Sequence, residues 1–107
     1  MGRILGVDYG EIRIGLSLSD NTKSIAFPFK TIKNKNIDFL LDFFRKLNSE
    51  KNIESIVIGL PLGMNGNDTP QTKSVRVFSD SIDLLGLPIF LQDESSGLRQ
   101  MLYVSGS

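Results

Sequence analysis

The sequence predicts an α/β domain: a mixed five-stranded sheet in the order β-β-β-α-β-α-β, with helices packed on its faces. Three observations lead to this prediction. The first third of the chain holds three short segments rich in apolar and β-branched residues, with only turns between them. Two later segments repeat apolar residues at helical spacing, and a further apolar strand segment follows each. Strands that alternate with helices pair in parallel through right-handed crossovers, whereas segments separated by short turns pair antiparallel.

The opening meander consists of three segments, residues 3–8, 12–18 and 24–32. The first is a short continuous apolar run, which is typical of a buried strand. The second alternates with period two, which places four apolar side chains on one face: Ile12, Ile14, Leu16 and Leu18. Pro28 cannot donate to a ladder, so the third strand is expected at an edge of the sheet or with a bulge.

The first predicted helix covers residues 36–50. Asn36 is a plausible N-cap, and Asp38 lies near the positive end of the helix. Its core-facing stripe consists of Ile37, Leu40, Leu41, Phe44 and Leu47. Residues 53–59 then form a fourth, buried strand.

The second predicted helix follows a loop over residues 60–67. Asp68 with Gln71 fits a capping box, and Pro70 suits a first turn. The helix runs to about residue 85, where Gly86 and Pro88 end it, and its buried residues are Val75, Phe78, Ile82 and Leu85. Residues 88–93 form the fifth strand.

Composition narrows the chemistry that this chain can perform. The 107 residues include no cysteine and no histidine, which excludes disulfides, thiol nucleophiles, histidine triads and ordinary histidine metal sites. Any acid–base or metal chemistry must therefore rest on carboxylates. No apolar run is long enough to span a bilayer and no signal-peptide pattern opens the chain, so the protein is expected to be soluble and cytoplasmic, without a membrane partner.

Charge is balanced overall, with 12 basic and 12 acidic residues, so the chain is not a strongly basic nucleic-acid binder. The basic residues nevertheless concentrate in the first half, where Lys30, Lys33 and Lys35 fall in one short stretch. This stretch is either a solvated loop or a small phosphate-contacting patch.

Acidic residues follow two of the predicted strands. Asp8 ends the first strand, and Asp93 and Glu94 end the fifth. The carboxyl ends of parallel strands meet at one edge of a sheet, where ligands usually bind, and paired carboxylates there suit Mg²⁺ or Mn²⁺. A strand-end cap at Asp8 and a solvated turn at residues 93–94 are the structural alternatives.

Two further segments admit both a structural and a functional interpretation. Gly10 suits a turn, and Arg13 is either a surface charge of the hairpin or a phosphate clamp. The pair Asn65-Gly66 is a good turn pair, and its amides with the following helix N-terminus could equally receive a phosphate.

Taken together, three stretches resemble the YqgF/RuvX family: residues 6–10 with 13–15 (GVDYG and RIG), residues 57–66 (VIGLPLGMNG), and Asp93-Glu94. The resemblance implies a ribonuclease-H-like fold and a metal-dependent nuclease of structured RNA or branched DNA. Members of the family are described as Holliday-junction resolvases and as nucleases that mature the 5′ end of pre-16S ribosomal RNA. It also implies site residues: Asp8 and Glu94 as catalytic carboxylates, Asp93 as a further metal ligand, and Arg13 as the motif arginine, with Gly10, Asn65 and Gly66 in the motifs that would contact substrate.

The chain departs from that family pattern after Glu94. Ser95 and Ser96 stand where an arginine and a Leu-(Ser/Thr)-Thr run are usual, and residues 95–107 contain no acidic residue, although the family carries a further catalytic Asp on a C-terminal helix. The sequence therefore predicts a core over residues 1–94 and a divergent or truncated tail over 95–107. Two alternatives follow, an inactive member that at most binds nucleic acid and an actin-like or sugar-kinase-like phosphate-binding fragment. A missing final helix would leave a sheet face uncovered, which favours a homo-oligomer or another partner.

Overall fold

The computed structural model describes residues 2–20, 22 and 25–93. Five strands form one sheet in this part of the chain: Arg3–Tyr9 (β1), Arg13–Ser19 (β2), Ala26–Lys33 (β3), Ile53–Leu60 (β4) and Ile89–Asp93 (β5). The helices are Ile37–Lys51 (α1) and Pro70–Ile82 (α2), and a 3-10 turn over Asp83–Leu85 extends α2. The element order and the α/β class agree with the prediction. The predicted tail lies outside the described residues.

The sheet is mixed, with the strand order β3-β2-β1-β4-β5. β1 pairs antiparallel with β2, and β2 pairs antiparallel with β3, as expected for strands joined by short connections. β4 lies parallel to both β1 and β5. Pro28 lies in β3, an edge strand of the described sheet, next to a register shift between Leu16 and Ser17, which confirms the prediction from that proline.

The two helices pack together on one face of the sheet. The rings of Phe44 in α1 and Phe78 in α2 lie 6.3 Å apart, and both belong to one apolar cluster with alternate residues of the central strands. Val57 is buried but stands outside that cluster, on the opposite face. Among the described residues, no helix covers this second face, which we call the open face.

The starts of the two helices confirm one sequence expectation and correct another. Asn36 caps α1 as predicted, because its side chain accepts a hydrogen bond from the amide of Phe39. The capping box of α2, however, is Thr69 with Thr72 rather than Asp68 with Gln71. Pro70 occupies the first helical position, so the N-cap falls one residue later than expected.

Three apolar residues are less buried than their spacing suggests. Ile12 is 76% exposed, because β2 begins only at Arg13 and Ile12 lies in the turn before it. Ile37, in the first turn of α1, is 38% exposed, and Leu85 is only partly buried. Neither helix within residues 2–20, 22 and 25–93 has the length and hydropathy of a membrane span.

Candidate active site

Asp8 is the acidic side chain that β1 presents to the open face. The residues on either side of it face the helices. Val7 is fully buried in the core, and the ring centroid of Tyr9 lies 4.5 Å from that of Phe78 in α2. Because successive strand side chains point to opposite faces, Asp8 faces away from the helices. Asp8 is half-buried, and its carboxylate is directed to a surface that no described helix closes.

Glycines flank Asp8 on both neighbouring strands. Gly15 of β2 is its cross-strand partner, and a Cβ atom built there would lie 3.7 Å from the Cβ of Asp8. On the other side, the pairing of Val7 with Ile58 brings Asp8 next to Gly59 in β4. Neither neighbour carries a side chain, so these two described strands leave room for a ligand to approach the carboxylate closely.

β5 divides its polar residues between the two faces. Gln92 is paired with Gly59, so it shares the open face with Asp8 across a glycine. Asp93 is paired with Leu60, a core residue, and alternation puts it on the helix side. The structure therefore does not bring Asp93 onto the face of Asp8, and Glu94 lies outside the described residues.

The chemistry of Asp8 suits a hard divalent cation, which prefers carboxylate and amide oxygens. Gln92 offers such an amide oxygen on the same face, about 10 Å away at the level of the Cα atoms, from two interstrand spacings. Within residues 2–20, 22 and 25–93, no group of three or more histidine, cysteine or acidic side chains is placed to hold a metal ion. The described residues thus supply one carboxylate on this face, and a divalent cation bound there would need further donors.

The hairpin turn between β1 and β2 positions Arg13. The carbonyl oxygen of Gly10 accepts a 2.9 Å hydrogen bond from the side-chain amide of Asn34. A Cβ atom on Gly10 would lie only 2.5 Å from the carbonyl oxygen of Arg13. The contribution of Gly10 is therefore a close backbone approach, while Arg13 starts β2 with an exposed side chain.

Replacing Gly10 by Ala is expected to destabilise the fold by about 1–3 kcal/mol, because the added methyl group overlaps a backbone oxygen that cannot move freely. Urea unfolding of the variant measures this loss. Gly15→Ala in the same hairpin is the matched control, since its Cβ would meet only an ordinary contact and Ala is favoured over Gly in a strand. Equal losses in both variants would contradict the role given to Gly10.

The backbone amides of the loop between β4 and α2 donate hydrogen bonds to acceptors within the same loop. Gly66 adopts a positive φ of 80° and donates its amide to the carbonyl of Gly63, and Gly63 donates to the carbonyl of Asn67. The side chain of Asn65 accepts a hydrogen bond from the amide of Asn67. These bonds leave fewer amides for a phosphate, so the geometry favours the turn interpretation. Contact of Asn65 and Gly66 with substrate stays a prediction.

Asp68 joins this loop to α2 through an ion pair with Arg76. Its carboxylate accepts two hydrogen bonds from the guanidinium of Arg76, at 2.8 and 3.0 Å. This hydrogen bonding, with the positive charges of Arg76 and Lys73, holds the pKa of Asp68 below its usual range, against a smaller opposing effect of desolvation.

Arg76→Gln is expected to raise the pKa of Asp68 toward the ordinary carboxyl range, which an NMR titration of its side chain would measure. Because the folded-state pKa is lowered, the pair stabilises the fold above the ordinary carboxyl pKa, and this contribution disappears as the pH falls through the lowered value. Wild type should therefore be more stable than the variant near neutral pH, and the two should have the same stability in strong acid. A titration unchanged by the substitution would contradict the assignment.

Comparison with known proteins decides the family. The model of the RuvX family, described as Holliday junction resolvase, matches residues 2–99. The chain belongs to the RuvX family. Two curated relatives of this RuvX-family chain, from Zymomonas mobilis and Sphingopyxis alaskensis, both carry the name "Putative pre-16S rRNA nuclease". They are 40% and 42% identical to it over 93 residues, each match covering 87% of this chain. The chain spans 57% and 61% of the length of these two relatives.

Solved structures place the RuvX-family fold among ribonuclease-H-like domains. RuvC of T. thermophilus in complex with a Holliday junction aligns with a TM-score of 0.64 at 8% identity, covering 98% of this chain and 78% of RuvC. The large terminase nuclease of phage G20c reaches 0.62 at 11% identity, covering 97% and 52%. A ROK family protein of Streptococcus pneumoniae reaches 0.61 at 13% identity, covering 95% and 39%. The ribonuclease-H-like fold is thus confirmed, but at these identities it is shared by nucleases and sugar-binding proteins alike.

Lys30, Lys33 and Lys35 are close together in the sequence, but the structure places them in different surroundings. Lys30 lies over the ring of Phe43 at 5.8 Å, and Lys35 lies over the ring of Phe39 at 4.6 Å, both against α1. Lys33 is paired with Arg13 across β2 and β3. Sequence reasoning missed Lys33 and Gln92 as neighbours of the Asp8 face, because their register becomes known only when the strands are paired.

Proposed function

We propose that this domain is the core of an endonuclease that hydrolyses phosphodiester bonds in structured nucleic acid. The substrate would be pre-16S rRNA or a Holliday junction, as the names of the family and its relatives suggest. The family resemblance implies the 5′ end of the rRNA. One observation carries the proposal: Asp8, in a chain of this family, lies half-buried between two glycine positions on a sheet face that no described helix covers. This arrangement leaves room for a phosphate backbone beside a carboxylate.

Asp8 and Glu94 would hold Mg²⁺ or Mn²⁺ in this proposal. Glu94 is preferred to Asp93 because the family resemblance implies it as the carboxylate and because strand alternation puts Asp93 on the helix side, away from Asp8. A divalent cation bound there would supply Lewis-acid polarisation of the phosphodiester and activation of water. Arg13 would donate hydrogen bonds to a phosphate oxygen, for which the guanidinium fork is well suited.

The direct test incubates the chain with Mg²⁺ and two labelled substrates, a four-way DNA junction and a 5′-extended rRNA fragment. Cleavage that EDTA abolishes is the expected result, and the preferred substrate distinguishes DNA from RNA. Failure to cleave either substrate in Mg²⁺ or Mn²⁺ would overturn the endonuclease proposal.

The other outcomes identify the alternatives. Tight binding of either substrate without turnover would support an inactive nucleic-acid-binding domain. Binding of ATP in calorimetry, without affinity for nucleic acid, would support a phosphate-binding fragment of the sugar-kinase type, for which the resemblance to the ROK protein gives a structural reason.

A further inference from the structure

We propose that Lys33 acts with Arg13 as a two-cation clamp for backbone phosphates next to Asp8. The inference rests on the proposed function, because it assigns a role in substrate binding at the same site. It adds Lys33, which lies some twenty positions after the first motif. In the sequence, Lys33 is one of three closely spaced lysines with nothing to distinguish it from the others.

The register places both cations on the open face. Ile14 and Ile32 are paired across β2 and β3, and both are buried in the core under the helices. Arg13 and Lys33 form the adjacent pair, so their side chains point to the opposite face, and both are exposed. Asp8 is on that face too, since its partner Gly15 is two residues from Arg13 on β2.

The hydrogen bonding at the end of the ladder brings the two cations close together. The amide of Asn34 donates to the carbonyl of Ile12 at 2.9 Å, which makes the pair next to Arg13 and Lys33 a hydrogen-bonded one. The two kinds of pair alternate along an antiparallel ladder, so Arg13 and Lys33 form a non-hydrogen-bonded pair. Such pairs have Cα atoms about 4.5 Å apart and side chains that lie closer than in the other kind.

Two like charges directly opposite one another destabilise a sheet. In the described part of the chain the salt bridges are Asp42 with Arg45 and Asp68 with Arg76, and neither Arg13 nor Lys33 has a carboxylate partner there. A bound polyanion would remove the repulsion by placing a negative charge against both cations. The pair is therefore better suited to an anionic ligand than to the stability of the free domain.

The spacing from Asp8 fits a single strand of nucleic acid. Arg13 is a diagonal neighbour of Asp8, about 7–8 Å away between Cα atoms. Lys33 is one strand further, about 12 Å away from strand spacing and rise. Each strand of a duplex carries one phosphate per about 3.4 Å of helix axis, so only when the ~12 Å is measured along that axis does it correspond to roughly three to four nucleotides. The clamp would thus hold phosphates next to the scissile bond and not that bond itself.

The test measures binding of a fluorescein-labelled four-way DNA junction and a labelled 5′-extended rRNA fragment in EDTA, by anisotropy over a range of salt concentrations. For Lys33→Gln we expect weaker binding of at least one probe and a slope of log K against log salt that is smaller by about 0.7–0.9, one phosphate contact. Lys30→Gln is the matched control, because it makes the same charge change on the helix side of the same strand. Lys33→Arg should restore the slope.

Stability distinguishes a binding role from a structural one. Urea unfolding of Lys33→Gln should show a stability at low salt equal to or above that of wild type, because the like-charge pair is gone. Equal binding and slopes for Lys33→Gln and Lys30→Gln, or no binding of either probe by wild type, would overturn the inference. If wild type binds with the expected slope but never cleaves in Mg²⁺, the endonuclease proposal fails while the clamp stands. If wild type cleaves but the Lys33 variant binds as wild type does, the clamp fails while the endonuclease proposal stands.

Discussion

Asp8→Asn should reduce Mg²⁺-dependent cleavage by about 100-fold or more, the loss typical of removing one group that stabilises charge in a transition state. The substitution keeps the size of the side chain and removes its negative charge. Asp8 is half-buried between Gly15 and Gly59, so no side chain at these two neighbouring strand positions packs against it. We therefore expect a stability within about 0.5 kcal/mol of wild type. Initial rates on the preferred substrate and a urea unfolding curve measure the two quantities.

Asp93→Asn is the matched control for this experiment. It makes the same change at the carboxyl edge of the sheet, but on the face of Leu60 rather than that of Asp8. We expect it to retain most of the cleavage activity, whereas Glu94→Gln should lose activity as Asp8→Asn does. Cleavage that persists in Asp8→Asn, or is lost equally in Asp93→Asn, would show that the open face is not where the reaction takes place.

Phe78→Ala is expected to have the largest effect on stability, about 3–5 kcal/mol. Phe78 is 4% exposed, and its ring lies 4.5 Å from that of Tyr9 and 6.3 Å from that of Phe44, so it joins β1 to both helices. Removal of the ring leaves a cavity at the point where β1 ends. The free energy of unfolding in urea measures the loss directly.

Val77→Ala provides the control for that change, because the neighbouring side chain on α2 is 65% exposed. Its effect should stay within about 0.5 kcal/mol. Phe78→Leu, which keeps most of the buried volume, should fall between the two variants. A Phe78→Ala variant as stable as Val77→Ala would mean that the Tyr9–Phe78 contact does not anchor the end of β1, and the argument for the orientation of Asp8 would lose its support.

Local sequence patterns predicted most of the fold. The period-two alternation of β2, the helical stripe after Asn36 and the proline in β3 each depend on neighbours within a few residues, and each reappears in the structure. The errors occur where elements begin. Ile12 fits the alternation but precedes β2, and Asp68 resembles a cap but bonds to Arg76 instead. Ile12 lies in the hairpin turn, and the pairing of Asp68 with Arg76 outweighs the local capping preference of Asp68.

The sequence by itself determined the family, the fold class and Asp8 as the acidic residue of the first strand, because motif residues and hydrophobic periodicity are read along the chain. Only the tertiary structure decided which polar residues share a face. Strand pairing sets the register, and a shift of one residue moves a side chain to the opposite side of a sheet. That physical rule separates Asp93 from Asp8 and brings Lys33 beside Arg13. Alternation within β3, which extends to Lys33, puts Lys30 on the opposite face.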